Sequence, residues 1–315
     1  MIWRLILQRL AGAILTLLIV SAVIFVAIEV LPGDVASRAL GRFATEESKR
    51  IFREQLHLDR SVIERYGLWL WGVVHGDFGE SIVSQRTVTE ILAPKLRNTF
   101  LLAAYALLIY FPLSTLLSSV AAVYNNRLPD HIISVFVLLI LSIPEFVLAS
   151  VLLIVFSVIT PIFPAMSVIE TATTIKDLLL VLTLPAVTLA LAMSVYAARM
   201  LRDSLIEVLD SEYVRMAMLK GLPRYHIIIF HALPNALIPA LNVTGLNLAY
   251  LIGGVVVVER VFTYSGIGSL LVESIFLRDV PIIEAVVLVV SAVYILANLF
   301  TDVMAIVLNP RLRRV

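Results

Sequence analysis

The sequence predicts an all-α integral membrane protein, and its composition and long apolar runs carry that prediction. Hydrophobic residues make up 60% and charged residues 15% of the 315 residues, and the mean hydropathy is +1.00, whereas about a quarter of an ordinary soluble domain is charged. A hydrocarbon core about 30 Å thick takes roughly 20 helical residues to cross. Helices are favoured because each pairs its own backbone groups in lipid, and the alternation typical of membrane barrel strands is missing.

Six segments have the length and hydrophobicity of membrane-spanning helices. They are residues 10–28, 99–123, 132–158, 178–198, 232–258 and 284–308. Between the first two lies a stretch that mixes charged and aromatic residues, which indicates a large loop or subdomain outside the membrane. We therefore divide the chain into residues 1–31 (N-terminus and first helix), 32–98 (extracytosolic subdomain), 99–308 (five-helix core, including the polar segment 199–235) and 309–315 (tail).

The distribution of positive charge predicts the orientation. An even number of spans puts both termini on one side of the membrane. Eleven Lys and Arg residues lie in the N-terminus, the 125–131 turn, the 199–235 segment and the tail, against three in the short opposite loops. Because short cytosolic loops carry the excess of positive residues, we expect both termini and the polar segment to face the cytosol. The absence of cysteine excludes disulfides and thiolate metal sites.

The polar segment 199–235 predicts a helix, a sharp turn and a second helix. Asp210 or Ser211 can accept the first free backbone N–H groups of the first helix. Gly221 can adopt the left-handed conformation that ends a helix, and Pro223 can open the next one because its missing N–H needs no partner there. The sequence therefore places a tight turn at Gly221.

One face of the first of these helices is modestly apolar. Val214, Ala217 and Met218 lie at positions i, i+3 and i+4, which share a helix face. A short ridge of this kind is predicted to fit into the groove of a partner protein.

The sequence lacks the motifs of the common enzymatic chemistries. There is no phosphate-binding loop, so the chain is not expected to hydrolyse ATP alone, and there is no zinc-protease or serine-hydrolase motif. The five histidines are scattered, and His226 and His231 are five residues apart rather than four, so no metal site is expected. No continuous basic stripe indicates nucleic-acid binding.

Four polar residues inside the predicted spans are candidates for the translocation path: Glu145, Asn242, Asn247 and Asn298. An ionised group near the bilayer centre costs at least about 2.5 kcal/mol unless partners or water shelter it. Glu145 follows Pro144, which can loosen the third span. Each of the four side chains either lines a cavity or forms hydrogen bonds between helices, and the sequence leaves both interpretations open.

The polar segment resembles a motif of ABC importer permeases. That motif consists of E-A-A, three residues, a glycine, nine further residues and then I-x-L-P. Arg215, Met216 and Ala217 occupy the E-A-A positions, Gly221 the glycine, His231 the isoleucine, and Leu233 and Pro234 the final pair; Arg215, Met216 and His231 depart from the general motif. Tyr213 to Leu222 is similar to the version in peptide and nickel importers. Further family signatures are Leu31-Pro32-Gly33-Asp34, Gly76 to Ser81, Ile143-Pro144-Glu145-Phe146, Gly253 to Gly268, Arg278-Asp279-Val280-Pro281 and Asn309-Pro310-Arg311.

The resemblance implies a subunit with the architecture of type I ABC importers, located in the bacterial cytoplasmic membrane. Its implied partners are a homologous second permease, two ATPase subunits that hold ATP and Mg²⁺, and an extracytosolic solute-binding protein. This chain would bind no cofactor and catalyse no reaction. The residues expected to dock the ATPase are Ala217, Leu219, Lys220, Gly221, Leu222 and Pro223.

The cargo is left open by the sequence, although di- or oligopeptides are favoured over nickel, glutathione, opines and oligosaccharides. An ion-coupled secondary transporter that uses Glu145 is the alternative, but its usual inverted repeat is not evident. An intramembrane enzyme lacks a convincing catalytic pair.

Overall fold

The computed structural model describes residues 2–30, 45, 47, 50 and 60–308, without the side chains of residues 2–6, 28–30, 238–246, 248–250, 252–253, 302 and 304–308. Its helices are α1 (Ile2–Val30), α2 (Val62–Val74), α3 (Val88–Val123), α4 (Leu128–Ser142), α5 (Glu145–Leu153), α6 (Ile175–Leu209), α7 (Glu212–Leu219), α8 (Arg224–His226), α9 (Leu233–Val261), α10 (Ile267–Leu277) and α11 (Val280–Leu308). Two wider π-helical turns, Ile154–Ile159 and Ile227–Ala232, extend α5 and join α8 to α9. Within the described ranges, the only β pairing is an isolated antiparallel bridge between Glu80 and Thr87.

The all-helical membrane fold predicted from the sequence is confirmed. Four described helices are long and apolar enough to cross a membrane, in α1, α3, α6 and α11, and α4 with α5 makes a fifth if the bent pair is one span. The predicted fifth span, 232–258, lies mainly in α9, where many side chains are outside those described. The count of six therefore stays a prediction, as does the subdomain at 32–98, of which residues 32–44 and 51–59 lie outside the described residues.

The third predicted span is a bent pair of helices, and the bend lies at the proline that was expected to loosen it. α4 ends at Ser142 and α5 begins at Glu145, with an angle of 106° between the two helices. Pro144 is the physical reason, because proline has no N–H to donate to the preceding turn and its ring clashes with a helical neighbour. Its ψ of 141° turns the backbone into an extended conformation before α5 starts.

The chain divides into two compact units. The first comprises residues 1–2, 99–265 and 296–315. Its largest core lies where α6 packs along α9, with Tyr110, Leu189, Met193 and Phe262 almost completely buried. Small residues such as Ala186 and Ala190 are also fully buried there, and small side chains let the backbones of membrane helices approach closely.

The second unit comprises residues 3–98 and 266–295. Val88 and Leu92 of α3 pack with Ile267 of α10 and Val286 of α11 in its core. Burial of Val88 explains why α3 starts eleven residues before the predicted span at 99. The helix is needed here to place apolar residues in this core as well as to cross the membrane.

One carboxylate holds a loop of the second unit. Asp279, only 2% exposed, accepts hydrogen bonds from the Ser81 hydroxyl at 2.5 Å and from the backbone N–H of Ile82 at 3.1 Å. Both Ser81 and Asp279 belong to family signatures noted in the sequence, although they are far apart in the chain. Their contact fixes the 79–88 loop against the start of α11.

Candidate functional site

The helix α7 begins directly after the long helix α6. Ser211 has an extended backbone, with φ of −72° and ψ of 152°, and stands at the N-cap. Its hydroxyl donates to the Val208 carbonyl of α6 instead of accepting an N–H of α7, and Asp210 ends α6. The predicted side-chain cap at Asp210 or Ser211 was therefore wrong. Glu212 lies in the first turn of α7, where a negative charge interacts favourably with the helix dipole.

The turn after α7 has the hydrogen-bond pattern of a Schellman motif. The Gly221 N–H donates to the Met218 carbonyl at 2.9 Å, and the Leu222 N–H donates to the Ala217 carbonyl at 3.4 Å. Gly221 has a φ of +79°, a value that L-residues with a Cβ adopt only at a cost. The sharp turn predicted at this glycine is confirmed.

The next helix starts where the sequence indicated. Pro223 is extended, with φ of −66° and ψ of 144°, and stands at the N-cap of α8. α8 continues through the π-helical turn Ile227–Ala232 into α9. We call residues Lys220–Pro223 the Gly221 turn. This short, hydrogen-bonded turn links the end of α7, which follows α6, to the start of α8, which leads into α9.

The exposed side chains of α7 differ from the predicted ridge. Val214 is completely buried and anchors α7 against the rest of this chain, so it is not available to a partner. Leu219 is 82% exposed, and Lys220, Gly221 and Pro223 are exposed beside it. The exposed surface of this segment is therefore the C-terminal end of α7 with the Gly221 turn.

A partly buried ion pair, with the carboxylate buried and the arginine at its edge, holds this end of α6. The Arg202 guanidinium donates to both carboxylate oxygens of Asp130, from Nε at 2.7 Å and from Nη2 at 2.6 Å. The same Nη2 donates to the Asn125 side chain at 3.0 Å, and the Asn126 N–H donates to Asp130 at 2.9 Å. Asp130 is 3% exposed. The turn between α3 and α4 is thus fastened to α6.

The sequence did not single out this pair. In the sequence, Arg202 is one of the eleven positive residues that predict the orientation, and no motif includes Asp130. The available signal was an acidic residue in the first turn of a helix that begins with Leu128-Pro129. No local pattern, however, indicates which basic residue of a distant helix meets it.

The structure describes the side chains of three of the four candidate path residues. Asn247 is 6% exposed, and its amide donates to the Tyr110 hydroxyl and to the Met193 carbonyl, both at 3.1 Å. It thereby joins α9 to α3 and α6, which favours the interhelical interpretation in this conformation. Glu145 and Asn298 are half-buried, and the side chain of Asn242 lies outside the described residues.

Comparison with known proteins decides the family. Residues 114–314 match the model of the binding-protein-dependent transport system inner membrane component, and residues 1–103 match the model of the N-terminal part of such membrane components. The chain belongs to this family. It is a permease subunit of an ABC importer of the peptide branch, embedded in the bacterial inner membrane, and a transport subunit rather than an enzyme.

Relatives cover almost the whole permease. A protein of Brucella melitensis biotype 1, provisionally named a peptide transport system permease protein, is 36% identical over 313 residues, which is 99% of each chain. The glutathione transport system permease protein GsiC of Pectobacterium atrosepticum is 36% identical over 306 residues, 97% of each chain. GsiC of Salmonella choleraesuis is 35% identical over 308 residues, 98% of each chain.

Family membership places the permease among binding-protein-dependent importers rather than the ion-coupled secondary transporters that Glu145 suggested. The structure shows in which helices the motif residues of the polar segment lie. Arg215, Met216 and Ala217 lie in α7, and His231 lies in the π-helical turn before α9. Residues 309–311 of the last signature lie outside the described residues.

Proposed function

We propose that this permease imports di- or oligopeptides and receives the mechanical work of ATP hydrolysis through the Gly221 turn. One observation carries the proposal. A hydrogen-bonded turn with a strongly exposed apolar residue, Leu219, connects α6 to α9, the two helices that pack most extensively in the first unit. Met216 and Met218 of α7 are also exposed, at 55% and 49%, and several exposed apolar side chains on one short helix are suited to a groove on a partner.

The proposed mechanism is a rigid movement of helices. Two ATPase subunits would hold ATP and Mg²⁺ and close around the nucleotide. The docked α7 would then move with them, and since the Schellman motif and buried Val214 fix α7 to the chain, α6 and α9 would follow. A state change of this type requires the ATPase to fit the two conformations unequally.

The orientation of the permease is part of the proposal. Eleven positive residues on one side against three on the other favour a cytosolic Gly221 turn and cytosolic termini. A solute-binding protein would deliver cargo at the opposite side, to the permease and a homologous second permease. Six spans of type I architecture are proposed on the same grounds.

Peptide cargo is supported by the names of the relatives. The Brucella melitensis relative is named for peptide transport, and the Pectobacterium atrosepticum relative is named for glutathione transport. Glutathione is itself a tripeptide, so both names share peptide chemistry. Glu145, Asn242, Asn247 and Asn298 stay proposed path residues. Asn247 would take part only in a conformation in which its bonds to Tyr110 and Met193 are broken.

The absence of cysteine in this sequence permits a direct test. Leu219→Cys introduces a single thiol at a site that is 82% exposed, and Ile63→Cys on α2 is a control at 84%. We expect the purified ATPase subunits to slow maleimide labelling of Leu219→Cys by roughly tenfold or more and to leave Ile63→Cys unaffected, as a docked, desolvated contact requires. Equal labelling of Leu219→Cys with and without the ATPase would refute docking at this turn.

A further inference from the structure

A small cavity lies between α3, α4 and α6, at the end of α6 that leads to α7. Its volume is about 220 Å³. Apolar side chains, among them Leu117, Ile133 and Val137, form one part of its wall. Arg199, Arg202 and Asp203 form another part. The cavity is thus apolar on one side and charged on the other.

The charges of this wall are not equivalent. Arg202 is engaged by Asp130 and Asn125, and its Nη1 contacts Asp203 at 2.9 Å. Arg199 lies one turn earlier, is exposed, and forms no hydrogen bond or ion pair with the described part of the chain. Asp203 is 70% exposed at its side chain. One cation and one carboxylate therefore remain accessible at the rim, four residues apart on one helix, with Cβ atoms about 5–6 Å apart.

The position of the rim along α6 points to the membrane surface. The apolar run of α6 ends at Ala198, and Arg199 is the next residue. α6 has 35 residues, and at about 1.5 Å per residue it is longer than the hydrocarbon core is thick. Arg199 and Asp203 therefore lie at the level of lipid headgroups.

The apolar side of the cavity continues onto the outer face of α4. Leu138 lines the cavity and is 49% exposed, and its neighbours Val135 and Leu139 are exposed at 55% and 59%. An acyl chain that leaves the cavity would thus run along an apolar surface. The volume is below the 300 Å³ or so of pockets for drug-sized ligands, so a headgroup fits and a peptide does not.

We propose that this cavity binds the headgroup of a phospholipid that carries both a phosphate and a primary ammonium, such as phosphatidylethanolamine. Arg199 binds the phosphate, and Asp203 accepts hydrogen bonds from the ammonium. The four nearby charged residues, Asp130, Arg199, Arg202 and Asp203, sum to zero, which matches a headgroup without net charge. The acyl chains lie along α4. This inference is independent of ATPase coupling.

The test compares lipids that differ only in the headgroup. The complete importer, purified and stripped of lipid, is titrated with phosphatidylethanolamine, phosphatidylglycerol or phosphatidylcholine, and bound lipid is counted by native mass spectrometry. We expect phosphatidylethanolamine to bind more tightly than the other two, because phosphatidylglycerol lacks the cation and the quaternary ammonium of phosphatidylcholine cannot donate hydrogen bonds. Equal binding of all three lipids would overturn the proposed selectivity.

Variants locate the site. Arg199→Gln and Asp203→Asn should each weaken phosphatidylethanolamine binding by about tenfold or more, the loss expected for one charge-assisted hydrogen bond. Asp203→Asn should also remove the preference over phosphatidylglycerol. Arg86→Gln, which changes an exposed arginine of the second unit, is the matched control and should bind as the unmodified protein does. Unchanged binding in both cavity variants, with normal thermal unfolding, would overturn the site.

Discussion

Three substitutions at Gly221 separate the effect of its left-handed backbone conformation from the effect of adding a charge. A Cβ built on Gly221 meets no atom within 4 Å, so a side chain causes no collision within the chain. What remains is the backbone, held at a φ of +79°. Alanine in a left-handed conformation costs about 1–2 kcal/mol, whereas asparagine and aspartate visit it more readily because they can form local hydrogen bonds.

The magnitude follows from that cost. If the ATPase binds only the turn with its two Schellman hydrogen bonds, a penalty of about 1–2 kcal/mol shifts the equilibrium away from that turn by a factor of about 5–30, which is the largest possible loss of competent population. Gly221→Ala should therefore weaken ATPase binding by a factor of up to about 30. Gly221→Asn should remain within a few-fold of the unmodified permease. Gly221→Asp has a similar backbone preference to Gly221→Asn but adds a negative charge beside exposed Leu219.

The assay is binding of purified ATPase subunits to the detergent-solubilised permease pair, followed by ATP hydrolysis stimulated by the solute-binding protein. The expected order of affinity is unmodified, then Gly221→Asn, then Gly221→Ala, with Gly221→Asp lowest if the docking groove is apolar. The reasoning would be refuted if Gly221→Ala bound and stimulated like Gly221→Asn. In that case the left-handed turn would not be what the partner recognises.

Three further predictions follow from other contacts. Arg202→Ala leaves Asp130 buried without its main partner and should destabilise the permease by about 3–5 kcal/mol. The paired change Arg202→Met with Asp130→Leu should recover much of that loss. Thermal unfolding in detergent measures both variants, and an equal loss of stability in the single and paired variants would contradict the assignment. Asp279→Asn should cost about 1–3 kcal/mol locally, because its amide nitrogen replaces one of the two oxygens that accept from the Ser81 hydroxyl and the Ile82 N–H. Hydrogen exchange at residues 79–88 should then accelerate, with Glu80→Gln as the unaffected control. An impermeant maleimide applied to intact cells should label Ile63→Cys and spare Leu219→Cys; the reverse pattern would invert the proposed orientation.

The features that the sequence predicted correctly depend on neighbouring residues. Gly221 between a short helix and Pro223 predicts a left-handed turn because few other residues adopt that conformation without cost. Pro144 similarly predicted a local disruption of the third span, but it did not predict the 106° angle between α4 and α5. That angle depends on how both helices pack, which no local pattern contains.

The features that the sequence missed depend on distant partners or on helix geometry. The partner of Asp130 is Arg202, and nothing near either residue in the chain specifies the other. The five-residue spacing of His226 and His231 predicted that their rings do not lie side by side on a helix. Their ring centroids nevertheless lie 5.6 Å apart. The reason is the π-helical turn Ile227–Ala232, which hydrogen-bonds over five residues instead of four. A spacing rule for α-helices does not apply in such a turn.

The π-helical turn also bears on how movement of the Gly221 turn would reach α9. A wider turn is an interruption in the regular helix, and it lies between the proposed docking surface and the helix that carries Asn247. On the other side, α6 is one helix from its capping box at Thr174 to Asp210, with Pro185 inside it, and Arg202 holds the part after Pro185 to the α3–α4 turn. The two connections from the Gly221 turn therefore differ in where their regular helical hydrogen bonding is interrupted. In the proposed coupling, work delivered at Leu219 would move the part of α6 after Pro185 as one body, while α9 would turn at the π-helical turn and release Asn247 from Tyr110 and Met193.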